Sequence, residues 1–180
     1  ASDLLGQAEH DQLAQCVLIS KDKNILEKTK KEVFEQLKNL PRSSVAKKSL
    51  MMNGILIYAN SDKKIIEITN KIGPEHLELN VKNYKSFVAK IKNAGSVCLG
   101  KYAVMAMTDY GAPGSNHVLP TDSSSKYSSG LNVSEFMKKI SYITLSKKGI
   151  DKLGPSAITL ANYEGLHGHA QSIIKRIRRK

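Results

Sequence analysis

Glu75 and His76 stand side by side directly after the turn-forming pair Gly73-Pro74, a carboxylate next to an imidazole. Imidazole titrates near neutrality and a carboxylate can hold or share a proton, so the two together have the chemistry of a general acid–base couple. Adjacency alone assigns no role, because many loops carry such a pair by chance. The remaining histidines are His10, His117, His167 and His169. Gln7 and His10 are three apart, so a helix there projects both from one face toward a shared ligand. Imidazole is a common metal ligand and a carboxamide a weak one. His167 and His169, in the string EGLHGH, differ by two positions and do not share a helical face, so at most one points at a given site. The residue types support a metal site with oxygen and nitrogen ligands and go no further. A structural role for each histidine stays open.

Alternating segments must position these groups. Gln15 to Ser20 reads as a short, β-branched, buried strand. Ile25, Leu26, Val33, Phe34 and Leu37 recur at helical spacing between about residues 22 and 38, and Ser43 to Met52 is a second helical stretch closing at Asn53-Gly54. Ile55 to Ala59 is the next strand, Asp62 to Ile72 an amphipathic helix, His76 to Asn80 extended, Tyr84 to Ile91 helical, and Ser96 to Leu99 an apolar strand. At the start, Ser2 or Asp3 is placed to cap a short helix carrying Leu4 and Leu5. Strand and helix alternation predicts an α/β fold, an incomplete Rossmann-like layer of mostly parallel strands covered on both faces.

The alternation stops after residue 100. Residues 101 to 132 have no sustained period, and so long a stretch without elements inside a domain is usually functional or disordered. It contains Asp109, Asn116 and His117, so residues 101 to 121 read as functional and the serine-rich 122 to 129 as flexible. Ser134 then caps a stretch through Lys139, Ile140 to Leu145 is strand-like, and helices from Lys147 are broken near Gly154-Pro155 and Gly165. The chain therefore divides into an α/β domain, 1–130, carrying most site residues, and a mainly helical tail, 131–180. The tail has too little core of its own and must pack on the α/β layer or on a partner subunit.

Composition narrows the classes. A chain that is 41% hydrophobic and 24% charged is that of a globular protein, and no apolar run reaches the roughly 18 residues of a membrane helix. No charged-then-apolar leader opens the sequence, which makes the cytoplasm the default expectation. Cys16 and Cys98 both lie in apolar runs and read as small buried hydrophobes rather than a disulfide. The net charge of +12 is the first mark of a nucleic-acid binder, but only Lys175 to Lys180 is a dense basic cluster, and aromatic stripes and zinc-finger spacing are both absent. Nucleic acid is therefore not an expected partner, and neither is a membrane.

Several strings converge on one family. GPEHL at 73–77, NHVLPT at 116–121 and the opening DLLGQAEH resemble the signature segments of histidinol dehydrogenases, with LPR at 40–42, AGSVCLG at 94–100, SSGL at 128–131 and EGLHGH in the matching order. The resemblance covers essentially all 180 residues. It implies zinc bound by Gln7, His10, Asp109 and His169, with the same four residues, His76, His117 and Glu164 contacting substrate. It implies catalysis by Glu75 and His76: His76 as the base that takes the alcohol proton, and Glu75 as the group that activates water to hydrate the aldehyde. The implied reaction oxidises L-histidinol through L-histidinal to L-histidine with two NAD, in a homodimer whose C-terminal tails are exchanged. Glu164 and His169 would then complete the partner's site.

Two departures stand beside the match. Asp109 stands eight positions before His117, one more than the family spacing, which requires a bulge around Pro113. The family chain is also more than twice as long, and its N-terminal half carries most of the NAD site. No G-x-G-x-x-G motif follows a strand here, so the chain reads as a C-terminal part expected to lack dehydrogenase activity and to bind zinc weakly by itself. The competing readings are a non-catalytic dimerisation or metal-sensing module and a basic nucleic-acid binder.

Overall fold

The computed structural model describes residues 1–111 and 116–177. The chain separates into two compact units, Ala1–Phe136 and Met137–Lys180.

The first unit opens with α1 (Ser2–Ala8), followed by β1 (Cys16–Ser20), α2 (Lys23–Leu37), α3 (Ser43–Asn53) and β2 (Gly54–Tyr58). β1 and β2 pair in parallel, with Cys16 opposite Gly54 and Ser20 opposite Tyr58. The core under this pair is built by three helices. Leu5 and Ala8 of α1, Val33 and Leu37 of α2, Ala46 of α3 and Cys16 of β1 form one buried cluster. The spacings of three and four residues on α1 and α2 turn one stripe of each helix inward, as amphipathic helices require. Ser49 is fully buried, and its hydroxyl donates to the Ala14 carbonyl at 2.8 Å, which removes the cost of a buried unpaired group. Asp22 caps α2 by accepting from the Asn24 N–H at 2.8 Å.

A second parallel pair follows. α4 (Asp62–Ile72) is capped by Ser61 and ends at Gly73, whose φ of 62° is the left-handed conformation that glycine adopts without strain. β3 (His76–Leu79), α5 (Lys85–Val88) and β4 (Ser96–Leu99) complete the crossover, with His76 opposite Ser96 and Leu79 opposite Leu99. Asn70 of α4 latches the approach to β4: its side-chain oxygen accepts from the Lys92 N–H at 2.7 Å, and its amide donates to the Lys90 carbonyl at 2.9 Å. α6 (Met105–Tyr110) and two short 3₁₀ turns, Ser124–Lys126 and Val133–Phe136, come next.

The α/β class and parallel pairing agree with the sequence expectation, with the strands arranged as two separate pairs. Other details differ. Ala1, not Ser2 or Asp3, occupies the cap of α1, and Asp3 lies in its first turn, where a carboxylate favours the helix dipole. The stretch expected to lack elements contains α6, too short to show a period. β2 leaves Ile55, Leu56 and Tyr58 exposed within this chain rather than covered on both faces. Ile140 to Leu145 forms no strand among the described residues, having no neighbour to pair with, and it is exposed. The bulge expected around Pro113 and the end of the basic cluster at 178–180 lie outside the described residues.

The second unit is a helical hairpin of α7 (Lys147–Tyr163) and α8 (His167–Ile177), turned at Gly165. The break expected at Gly154-Pro155 does not occur, and α7 runs through Pro155. Gly154 instead marks where α8 presses closest: a β-carbon there would fall 2.5 Å from Ile177 and 3.0 Å from Ile173. Packing against α8 thus outweighs the lost hydrogen bond at the proline.

Leu37→Ala is expected to cost about 2–5 kcal/mol through the cavity it leaves. Asp22→Ala should cost about 1 kcal/mol through the lost cap. Urea denaturation of the two variants measures both, and equal losses would contradict the core assignment.

Candidate active site

The end of α4 and the start of β3 place Glu75 and His76, the pair expected to do acid–base work. Gly73 stops the helix, Pro74 cannot continue it, and the chain enters β3 with Glu75 and His76 at the sheet's leading edge. The Glu75 carbonyl accepts from the Ser96 N–H at 2.8 Å, and the Pro74 carbonyl from the Gly95 N–H at 2.9 Å, so the pairing begins before the first strand residue. Gly95 is needed there: a β-carbon would lie 2.7 Å from the Glu75 carbonyl oxygen and 3.0 Å from Pro120. The His76 ring is mostly buried, with Nε2 3.5 Å from Glu75 Oε1. Its Nδ1 is buried with no hydrogen-bond partner among the described residues, a state that costs on the order of 1–3 kcal/mol.

Residues two apart on a strand share a face, so Glu78 lies on the same side of β3 as His76. Glu78 Oε1 accepts from the Met105 N–H, the first residue of α6, at 2.8 Å. Burial raises the Glu78 carboxyl above its ordinary range, the Met105 hydrogen bond pulls it back, and the neighbouring Asp3 carboxyl of α1 pushes it further up. Cys98, opposite Glu78 in the β3–β4 register, is raised first by burial, then by the charges of Glu78 and Asp109. It is therefore held as a thiol, not a thiolate nucleophile. Asp109 is thus near enough to Cys98 for its charge to act on the thiol.

Asp109 lies on the last turn of α6, and its carbonyl oxygen is 2.7 Å from His117 Nε2. A carbonyl only accepts, so Nε2 carries the proton, and in the neutral ring Nδ1 is left as an acceptor. His117 is thereby tied to Asp109 in spite of the extra residue between them. Asn116 closes the returning loop on itself, accepting from the Val118 N–H at 2.9 Å and donating to the Leu131 carbonyl at 2.6 Å.

Gln7 is on α1, and His10 follows its end, with the His10 N–H donating to the Gln7 carbonyl at 3.3 Å. His10 is exposed and lines a shallow pocket with Arg42, Lys48 and Met52. α1 and α6 pack on each other, so Gln7 and Asp109 come from touching elements. Glu164 follows α7 and His169 is on α8, both exposed, in the second unit. Among the described residues no three His, Cys, Asp or Glu side chains converge on a common point. The first unit supplies only His10 and Asp109 of those types to the expected set, since Gln7 is an amide and His169 belongs to the second unit. Nitrogen and oxygen donors without thiolate fit a divalent metal that also holds an oxygen- or nitrogen-bearing substrate.

Glu78 is the residue that reading the sequence missed. Its signal was present, an acid two places after His76 on a predicted strand. What the sequence lacked was α6 as its partner.

The sequence model of the histidinol dehydrogenase family matches residues 1–177. A histidinol dehydrogenase of Pelagibacter ubique is 72% identical over 180 residues, covering all of this chain and 42% of that protein. One of Listeria monocytogenes is 44% identical over 173 residues, covering 96% of this chain and 40% of that protein. The crystal structure of histidinol dehydrogenase from Elizabethkingia anophelis superposes with a TM-score of 0.77 at 38% identity, over 98% of this chain and 40% of that one. The chain thus spans about two fifths of the length of these relatives.

Gly95→Ala is expected to destabilise by about 1–3 kcal/mol, since the added carbon meets backbone. A denaturation midpoint equal to that of the native chain would sink that account. For Glu78, the folded state holds the proton more tightly than the unfolded chain does. Its charge therefore costs stability as pH rises from the ordinary carboxyl range through the raised value. Glu78→Gln keeps the acceptor and drops the charge, so it should be more stable than the native chain above that window. The advantage should vanish below the ordinary carboxyl range, and urea melts at both pH values check the sign.

Proposed function

Since the chain belongs to the histidinol dehydrogenase family, we propose that it is the part of such an enzyme that carries the acid–base pair for oxidising L-histidinol through L-histidinal to L-histidine. The observation that carries this reading is the state of His76: a mostly buried ring with one nitrogen unpartnered and the other facing Glu75. An imidazole beside a carboxylate at the edge of a sheet can take a proton and pass it on, which is the chemistry that removal of an alcohol proton needs. In each oxidation a C–H bond breaks with its electron pair leaving as hydride while the proton goes to His76. Glu75 takes a proton from the water that adds to the aldehyde while His76 returns its proton to the aldehyde oxygen, which leaves His76 free to accept the hydroxyl proton in the second oxidation.

When bound, NAD supplies the hydride acceptor, one per oxidation, and zinc a Lewis-acidic anchor for the substrate. Gln7, His10, Asp109 and His169 would hold the metal. His117 and Glu164 join them in contacting substrate, His117 through the nitrogen left free by its bond to Asp109. Exchange of the 137–180 unit between two copies in a homodimer would supply Glu164 and His169 to the partner's site. Amino-acid biosynthesis of this kind belongs in the cytoplasm, and no helix among the described residues is long and apolar enough to cross a membrane.

The test uses the full-length protein containing this segment, supplied with zinc, NAD and L-histidinol. Two NADH per histidinol consumed are expected. His76→Ala and Glu75→Gln should each lower kcat by about 10²–10⁴-fold. Full activity in His76→Ala would refute the assignment of the base.

A further inference from the structure

We propose that Glu78 is a positioning residue: from β3, beside His76, its side chain sets where α6 presents Asp109. The proposal rests on the reading of Asp109 as a metal ligand. α6 has only six residues, far fewer than a helix needs to hold itself in water. Its cap position is Val104, whose side chain cannot accept a hydrogen bond, so the first N–H groups of the helix lack a local partner. The carboxylate of Glu78 fills that place from another element, with Met105 N–H at 2.8 Å. A side-chain acceptor of this reach satisfies a first-turn N–H that the helix itself cannot. Met105 itself is buried, so the tethered end cannot drift into solvent.

The far end of α6 is tied separately. The Asp109 carbonyl is held by His117, and Thr108 donates to the Met105 carbonyl at 2.6 Å within the helix. Of the two tethers, only Glu78 comes from the strand that carries His76. It stands two residues from His76 on the same face, so the distance from the proton acceptor to Asp109 runs through one side chain. α1, which carries Gln7, packs against α6, so where Glu78 tethers α6 also bears on how Gln7 and Asp109 face each other. On this reading Glu78 is neither a metal ligand nor a proton carrier. It acts through the placement of Asp109.

Reach and charge separate in three variants of the full-length protein. Glu78→Gln keeps the length and an acceptor oxygen, Glu78→Asp keeps the charge but falls one methylene short, and Glu78→Ala loses both. The zinc dissociation constant is measured by chelator competition, and kcat for L-histidinol with and without excess zinc. Glu78→Asp and Glu78→Ala are expected to weaken zinc by at least about tenfold, with kcat recovering in excess zinc, while Glu78→Gln stays close to the native protein. Recovery by zinc is the sign of a displaced ligand, which a general loss of stability would not give. If Glu78→Ala fails to fold, the Gln and Asp variants decide the matter. Native zinc affinity in Glu78→Asp, or a loss in Glu78→Gln as large as that in Glu78→Asp, overturns the proposal. A native protein that oxidises L-histidinol yet holds zinc unchanged on Asp109→Ala overturns the ligand reading, and this proposal with it.

Discussion

The parallel register of β3 on β4 is the constraint from which the site follows. Because the Ser96 N–H takes the Glu75 carbonyl and Gly95 lies flat against it, the backbone at Glu75 and His76 has no freedom left to spend on side-chain placement. Strand alternation then sends His76 and Glu78 to one face, with Cys98 beside Glu78. A slip of one residue would move both to the opposite face and strip α6 of its only strand-borne acceptor. The latch of Asn70 on residues 90–93 serves the same end, fixing where β4 begins.

The electrostatics of that face are unusual for so small a sheet. Three acidic side chains, Asp3, Glu78 and Asp109, act on one another or on Cys98 across elements that are separate in sequence. The proton affinity of Glu78 is raised first by burial and then by the Asp3 carboxyl. The unpartnered His76 nitrogen carries a cost of its own.

Much of the architecture was legible because it rests on local rules. Asp62–Ile72 announces itself by its apolar stripe, its serine cap and its terminal glycine, and β1, β3 and β4 by short β-branched or apolar runs. α6 escaped because six residues are less than two turns of pattern, and its cap comes from Glu78, twenty-seven positions away. Pro155 misled in the opposite sense: a proline predicts a break, but the approach of Ile173 and Ile177 to Gly154 is a tertiary fact. The pair Glu75–His76 could be named from adjacency, whereas the burial of its ring nitrogen could not. The family strings carried the assignments of Gln7, His10, His117, Glu164 and His169, which spacing alone left open.

The exposed stretch from Val133 to Leu145 carries a consequence for handling the chain by itself. Phe136, Met137, Ile140, Tyr142 and Ile143 all face solvent within this chain, a run that attracts its own copies, while a net charge of +12 keeps those copies apart. The attraction is of short range and indifferent to ions. The repulsion is screened within about 10 Å at 0.1 M salt. Colloidal stability of the separate chain is therefore set by ionic strength, and light scattering should rise as salt is added, where a chain of ordinary surface would stay clear.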